Sequence, residues 1–320
     1  MAETVLDINE ILPEFPNLYL GSWSAAKDII RLKARGITHI LTVNNSPLPK
    51  SVSEQFKYKF IHGFDLEFTD LLNYFEECIK FIDEGIRYGS VLVHCLAGCS
   101  RSATMVIAYI MKKKQMGYGE ALGIVRRSRS IVHPNEGFKE QLLLYQEMEN
   151  KIDTTNERFR RYRLKKLALK IHSYDLGETF SPEELTANPS DSDNKADIVY
   201  KCRKCRQALF KKSGLISHNV GEGEAAFDWR SKIPSNKKET VEGRESTTVC
   251  TQSLFIEPVR WMAESISEPV GKVSCPKCNS KIGSFVWHGE KCPCGAWVAP
   301  AFHIRANKVD ESKPFVLLAK

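Results

Sequence analysis

The sequence predicts an α/β domain, a central sheet flanked by helices, followed by a small cysteine-rich domain. Two observations carry this. From about residue 16 to 150, short apolar runs alternate with longer amphipathic stretches, as when strands interleave with helices. Of ten cysteines, Cys78, Cys95 and Cys99 precede residue 100, and the other seven follow residue 200. A chain of 320 residues has room for both parts. The expected boundaries are 1–150 for the α/β domain, 151–198 for a basic helix and linker, and 199–320 for the cysteine-rich domain.

NLYLGS (17–22) and ITHILTV (37–43) read as strands around a helix, SAAKDIIRLKARG, which ends at a C′ glycine, Gly36. YKFIHGF (58–64) reads as another strand. Leu71, Phe75, Cys78, Ile79, Ile82 and Ile86 then recur at helical spacing, with Thr69 to cap that helix and Asp70 in its first turn. VLVH (91–94) is a short buried strand, followed by helical stretches over 102–114, 118–128 and 135–149. Many Arg and Lys then appear on a helical pattern, in NERFRRYRLKKLALKIH. SPEELTANPSDSDNKAD (181–197) has no apolar periodicity and reads as linker, and the stretch 176–198 as a whole is expected to be one.

Composition narrows the function classes. No stretch approaches the ~20 apolar residues of a membrane span, and the N-terminus has no basic segment before an apolar run. A cytoplasmic and nuclear location is therefore expected. Seven cysteines in the last third of such a chain point to metal binding rather than disulfides. The net charge of +7 suits a phosphate-rich partner such as RNA, though a solvated basic helix face explains it equally well. A monomer is expected, since no coiled-coil pattern is present.

The informative segment is VLVHCLAGCSRS (91–102). A buried strand delivers His94 and Cys95 to a tight loop, Gly98 permits a positive φ there, and a helix opens at Arg101 or Ser102. Five residues, Leu96, Ala97, Gly98, Cys99 and Ser100, separate Cys95 from Arg101. With that spacing the backbone N–H groups can ring one tetrahedral dianion above a helix N-terminus. The same field lowers the pKa expected for Cys95. A lone cysteine at a strand end is ordinarily a core residue, but that does not account for Gly98, Arg101 and the strand-to-helix context together. Cys78 reads as core. Cys99 reads as packing, with a reversible disulfide to Cys95 as the alternative.

The run from His94 to Ser102, with NLYLGS upstream and HPNEGF (133–138) downstream, resembles the Cys-x5-Arg phosphatases and, within them, the dual-specificity phosphatases. The resemblance implies Cys95 as nucleophile, Arg101 as phosphate clamp, and Ser102 stabilising the sulfur as it leaves. His94 is expected to orient the loop. It implies a general acid just ahead of the long helix, where Asp65 fits and Asp70 and Glu67 are the other carboxylates in reach. The loop holds no lysine of the kind that phosphoinositide phosphatases favour, and no tyrosine-bearing recognition loop is visible. Phosphoprotein substrates carrying phosphotyrosine and phosphoserine or phosphothreonine are therefore expected, with an RNA 5′-phosphatase as the alternative.

In the tail, Cys202-x2-Cys205 and Cys275-x2-Cys278 have the knuckle spacing of structural zinc sites, and Cys292-Pro293-Cys294 adds a tight pair. With Cys250 there are seven sulfur ligands, so two closed tetrahedral sites need one histidine. His218 is best placed, with His288 and His303 as alternatives. The expected grouping is Cys202, Cys205, His218 and Cys250 for one zinc and Cys275, Cys278, Cys292 and Cys294 for the other, interleaved sites remaining open. Trp261, Phe285, Trp287, Trp297 and Phe302 read as the core of a small metal-stapled domain rather than a base-stacking surface. YKCRKC, CTQSLFIEPVRWM, SCPKC and GSFVWHGEKCPCGAWVAPAFHI resemble atypical dual-specificity phosphatases with a C-terminal zinc domain. That resemblance implies two structural zinc ions, none for catalysis. It also implies that the tail acts in maturation of the large ribosomal subunit (pre-60S), on protein and rRNA, so that enzyme and assembly roles coexist, the alternative being an assembly factor whose phosphatase activity is dispensable.

Overall fold

In a computed structural model of the chain, which describes residues 7–172, 181–191, 197–221 and 249–313, two units meet the division Met1–Phe159 and Arg160–Lys320. The first holds a five-stranded sheet built from Ile8–Ile11 (β1), Phe15–Gly21 (β2), Ile37–Asn44 (β3), Lys57–His62 (β4) and Ser90–His94 (β5), in the order β1-β2-β5-β3-β4. Only β1 runs antiparallel to its neighbour. β5 lies at the centre and all five of its residues are buried, as expected for a parallel strand covered on both faces.

One cover consists of Trp23–Lys27 (α1), Ile29–Ala34 (α2) and Lys50–Ser53 (α3), whose Ala25, Ala26, Leu32 and Val52 pack with Ile37, Ile40 and Leu92. The single helix expected over 24–36 is broken, because Asp28 caps α2 by accepting from Arg31 N–H. On the sheet also pack Phe75–Tyr88 (α4) and Arg101–Lys114 (α5), followed by Tyr118–Ser128 (α6) and Glu136–Glu147 (α7). α5 is buried from Arg101 through Met111. Ahead of α4 a short 3-10 turn spans Leu72–Tyr74, and Asp70, not Thr69, accepts from the Asn73 N–H there. Cys78 is 1% exposed and burial pushes its thiol up to about 12, so it is an inert core residue.

The second unit begins within the basic helix Glu157–His172 (α8). Leu164, Leu167 and Ile171 join a core with Leu185, Phe210, Phe285, Trp287 and Phe302. The stretch expected to be linker is thus partly folded: Leu185 is buried and Thr186 bridges Val259. Residues 176–180 and 192–196 of that stretch lie outside the described residues. Val199–Cys202 (β6) pairs with both Ala208–Lys211 (β7) and Val309–Ser312, while Leu254–Phe255 (β8), Val270–Ser274 (β9), Lys281–Val286 (β10) and Ala301–Ile304 form a second sheet in which β9 and β10 make a hairpin. Glu290–Lys291 (β11) pairs with Trp297–Val298 (β12). No helix among the described residues is long and apolar enough to cross a membrane.

Candidate active site and cysteine clusters

β5 ends at His94 and α5 opens at Arg101, so the segment between turns back above the N-terminus of a 14-residue helix. The turn is shaped by Gly98, whose φ is +67° and where a Cβ would lie 2.4 Å from Gly21 O. No other residue type fits both conditions. Cys95 is 1% exposed. Its Sγ accepts from Gly98 N–H at 3.2 Å and from the Ser102 hydroxyl at 3.1 Å. Burial pushes this thiol up, but the Ser102 hydroxyl, the Ser102 and Cys99 N–H groups and the Arg101 guanidinium outweigh it, leaving the pKa below the ordinary value. The shift favours the thiolate, the form that attacks.

Arg101 is fixed by two bonds from Nη1, to Asn44 Oδ1 at 2.7 Å and Gly63 O at 3.1 Å. Its Nε is buried without a hydrogen-bond partner, 3.6 Å from Asp65 Oδ2. A guanidinium held at one corner with a donor to spare is suited to grip an anion. Asp65 stands close by, its Oδ1 accepting from Ser100 Oγ at 2.7 Å and Asn135 Nδ2 at 2.9 Å. The structure therefore brings Asp65 to the loop. Asp70 is occupied with Asn73, and the other alternative, Glu67, contributes its backbone to the packing against α7.

His94 is fully buried, with Nδ1 3.2 Å from Cys95 O and Nε2 2.7 Å from Thr42 Oγ1. A carbonyl only accepts, so Nδ1 carries the proton and Nε2 accepts from the threonine. Burial holds the imidazole down to about 4, so the ring is neutral and serves to orient the loop. Leu96 is exposed at the rim, and its carbonyl accepts from Trp23 N–H. The Cys99 thiol donates to Ile131 O at 2.8 Å.

Arg129 is the residue that sequence reasoning missed. It is 3% exposed and donates from Nε to Gly98 O at 2.9 Å, from Nη2 to Ala97 O at 2.8 Å and from Nη1 to Asn9 Oδ1 at 2.6 Å. By drawing the loop carbonyls outward it leaves the N–H groups facing Cys95. Its position, just after α6, carries no local signal that it will meet a loop near residue 97.

In the second unit the eight expected ligand atoms form two groups, within 4.8 Å of one another in each, that could hold metal ions. The grouping differs from the expected one. Cys202 and Cys205 join Cys275 and Cys278, while His218 and Cys250 join Cys292 and Cys294. The physical reason is hairpin packing: the β6–β7 turn faces the β9–β10 turn, placing Cys202 Sγ 3.8 Å from Cys278 Sγ and Cys205 Sγ 3.6 Å from Cys275 Sγ. His218 and Cys250 are tied by Cys250 N–H to His218 O, and they meet the β11–β12 turn, with Cys250 Sγ 3.8 Å from Cys292 Sγ and His218 Nε2 3.4 Å from Cys294 Sγ. His303 instead pairs with Glu290 and stacks on Phe255, and His288 is exposed. Phe285 and Phe302 stack in the core, and Trp287 and Trp261 donate to Ile266 O and Leu209 O. The basic helix is tied inward as well: Arg160 bonds Glu257 and Leu215 O, Arg161 bonds Ser217 O, and Arg163 bonds Glu184 O.

Residues 18–148 match the family model for the dual specificity phosphatase catalytic domain. Over 311 residues the chain is 40% identical to dual specificity protein phosphatase 12 of Mus musculus, covering 95% of this chain and 89% of that protein. It is 31% identical to tyrosine-protein phosphatase YVH1 of Saccharomyces cerevisiae over 334 residues, covering 92% of this chain and 86% of the yeast protein. Among solved structures, the Yvh1 phosphatase domain from Chaetomium thermophilum is 31% identical with a TM-score of 0.43, covering 46% of this chain and 99% of that one.

Proposed function

The chain belongs to the dual specificity phosphatases with a C-terminal cysteine-rich region, and from that premise we propose that it hydrolyses phosphotyrosine and phosphoserine or phosphothreonine in protein substrates through a phosphocysteine intermediate. The observation that carries this reading is the Cys95 sulfur, buried and hydrogen-bonded by Gly98 and Ser102, with the spare Nε of Arg101 and the Asp65 carboxyl beside it. In the first step the thiolate attacks phosphorus, the bond to the substrate oxygen breaks, and Asp65 gives that oxygen its proton. In the second, water attacks phosphorus while Asp65 takes its proton, and the S–P bond breaks. The Ser102 hydroxyl bonds the departing thiolate. Arg101 grips two phosphoryl oxygens throughout.

Turnover of a small aryl phosphate by wild type, Cys95→Ser and Asp65→Asn across pH tests this. Wild type should turn over, Cys95→Ser should be dead, and Asp65→Asn should be slowed by ~10²-fold or more with a flattened pH profile. An inert, folded wild type would remove the enzymatic mechanism.

The cysteine clusters suit two structural zinc ions. Bonds of about 2.3 Å to sulfur in a tetrahedron give edges of about 3.8 Å, and the S···S separations of 3.6 to 3.8 Å agree. Each set supplies four protein ligands, so no position is left open for catalysis. Closed coordination makes the metals structural, and the resemblance of the tail's sequence is what supports a second role for the unit, as a binding module for the large ribosomal subunit precursor in the cytoplasm and nucleus. Cys95→Ser should keep association with that particle. Loss of association in this variant would place the role in the phosphatase unit instead.

A further inference from the structure

The segment that carries Asp65 is itself poor in anchors of its own: Phe64, Leu66 and Phe68 are all substantially exposed. What fixes it is α7. Gln141 is 1% exposed, and its Oε1 accepts from Leu71 N–H at 2.8 Å and Leu72 N–H at 2.9 Å. Its Nε2 donates to Thr69 O at 2.8 Å and Gly137 O at 3.1 Å. All four hydrogen-bonding positions of the amide are used, so it has one orientation. A Cβ at Gly137 would lie 2.0 Å from Glu67 O, so the backbone of the acid-bearing segment rests directly on the first turn of α7. Asn135 completes the arrangement. Its Oδ1 caps α7 at Phe138 N–H, 3.0 Å, and its Nδ2 donates to Asp65 Oδ1 at 2.9 Å. Ser100 Oγ, which accepts from Asn135 N–H at 3.3 Å, donates to the same Asp65 oxygen.

We propose that α7 is the platform that sets the general acid: Asn135, Gly137 and Gln141 are positioning residues that hold Asp65 against the phosphate loop. The proposal rests on the reading of Asp65 as the acid. It assigns a role to the segment HPNEGF, which the chemistry of the loop itself leaves unused. Asn135 touches both the acid and, through Ser100, the loop. It therefore fixes the distance between the proton donor and the sulfur.

A general acid matters in proportion to how poor the leaving group is. The test compares kcat for full-length protein on p-nitrophenyl phosphate, a good leaving group, with kcat on phenyl phosphate, a poor one. Asp65→Asn should lose on the order of 10²-fold more on phenyl phosphate than on p-nitrophenyl phosphate. Asn135→Ser keeps a good helix cap but is too short to reach Asp65. Gly137→Ala pushes the segment off its rest. Each should lose on the order of 10-fold more on the poor leaving group, with KM little altered, and neither should add to that bias in the Asp65→Asn background. Equal losses on both substrates in the α7 variants, beside a steep bias in Asp65→Asn, would overturn the proposal alone. No bias in Asp65→Asn would overturn the reading of Asp65 and the proposal with it.

Discussion

Cys95 and the cysteines of the second unit carry the same side chain in opposite surroundings. Around Cys95 the neighbours are donors: two backbone N–H groups, a hydroxyl and a guanidinium. Those donors favour negative charge on that sulfur, the form that attacks. Around Cys275 the neighbours are other sulfurs, those of Cys202, Cys205 and Cys278. Burial, with hydrogen bonds that the Cys275 thiol donates to neighbouring sulfurs, pushes that thiol up, while the Ser280 hydroxyl holds Cys278 down. Charge there cannot be shared evenly without a cation. One arrangement makes a nucleophile and the other a ligand set, and the difference lies in the neighbours rather than in the cysteine.

The largest effect that would test this contrast is metal removal. Structural zinc contributes apparent binding energies of about 10–16 kcal/mol, so a strong chelator should unfold the second unit while leaving turnover of an aryl phosphate in place. Cys275→Ser and Cys202→Ser should each cost the same one of two ions by metal analysis. If they cost different ions, the clusters are grouped otherwise.

The next is a pH effect confined to the first unit. Burial holds His94 at about 4 when folded, against about 6.5 when unfolded. The unfolded chain binds a proton between those values that the folded one does not. Stability from this group is therefore complete above about pH 6.5 and falls by roughly 3 kcal/mol as pH drops to about 4. Denaturant melts of His94→Asn should show a flatter dependence across that window.

Smaller still, Arg129→Met should lower kcat/KM by roughly 10–100-fold, because charged hydrogen bonds to two loop carbonyls are lost. An unaffected rate would show that the N–H groups hold their direction without it. The smallest shift belongs to Ser102→Ala, which removes one donor from Cys95 and raises its pKa. Alkylation by iodoacetamide at pH 6 should slow by about 10-fold or less.

Much of this was legible in the sequence, for reasons that differ by region. The loop is a local object: strand, tight glycine turn and helix start follow one another, so spacing alone carries its geometry. The eight metal ligands were legible as a set because short Cys-x2-Cys turns are also local. Their grouping was not, since it depends on which hairpins pack together across the unit. Arg129 and Gln141 were illegible for the same reason, each acting on backbone far away in sequence. The arginines of α8 misled in the other direction. A basic periodic stretch suggests a solvated face, yet Arg160 and Arg163 reach inward to Glu257 and Glu184 O. β1 escaped because INEI is short and half polar.

The interleaving of the metal ligands has a consequence for biosynthesis. Cys202 and Cys278 lie 76 positions apart, as do His218 and Cys294. The two spans overlap rather than follow one another, so the first ligands made must wait. A nascent chain still ending before Cys275 can complete neither site; the first closes once Cys278 has emerged and the second, 16 positions later, once Cys294 has. Each closure fastens a long loop, where the entropy lost is greatest. The tail therefore cannot be assembled piece by piece from its N-terminal side. It becomes a folded object late and nearly all at once, after the phosphatase unit has had the whole length of the tail's synthesis in which to fold.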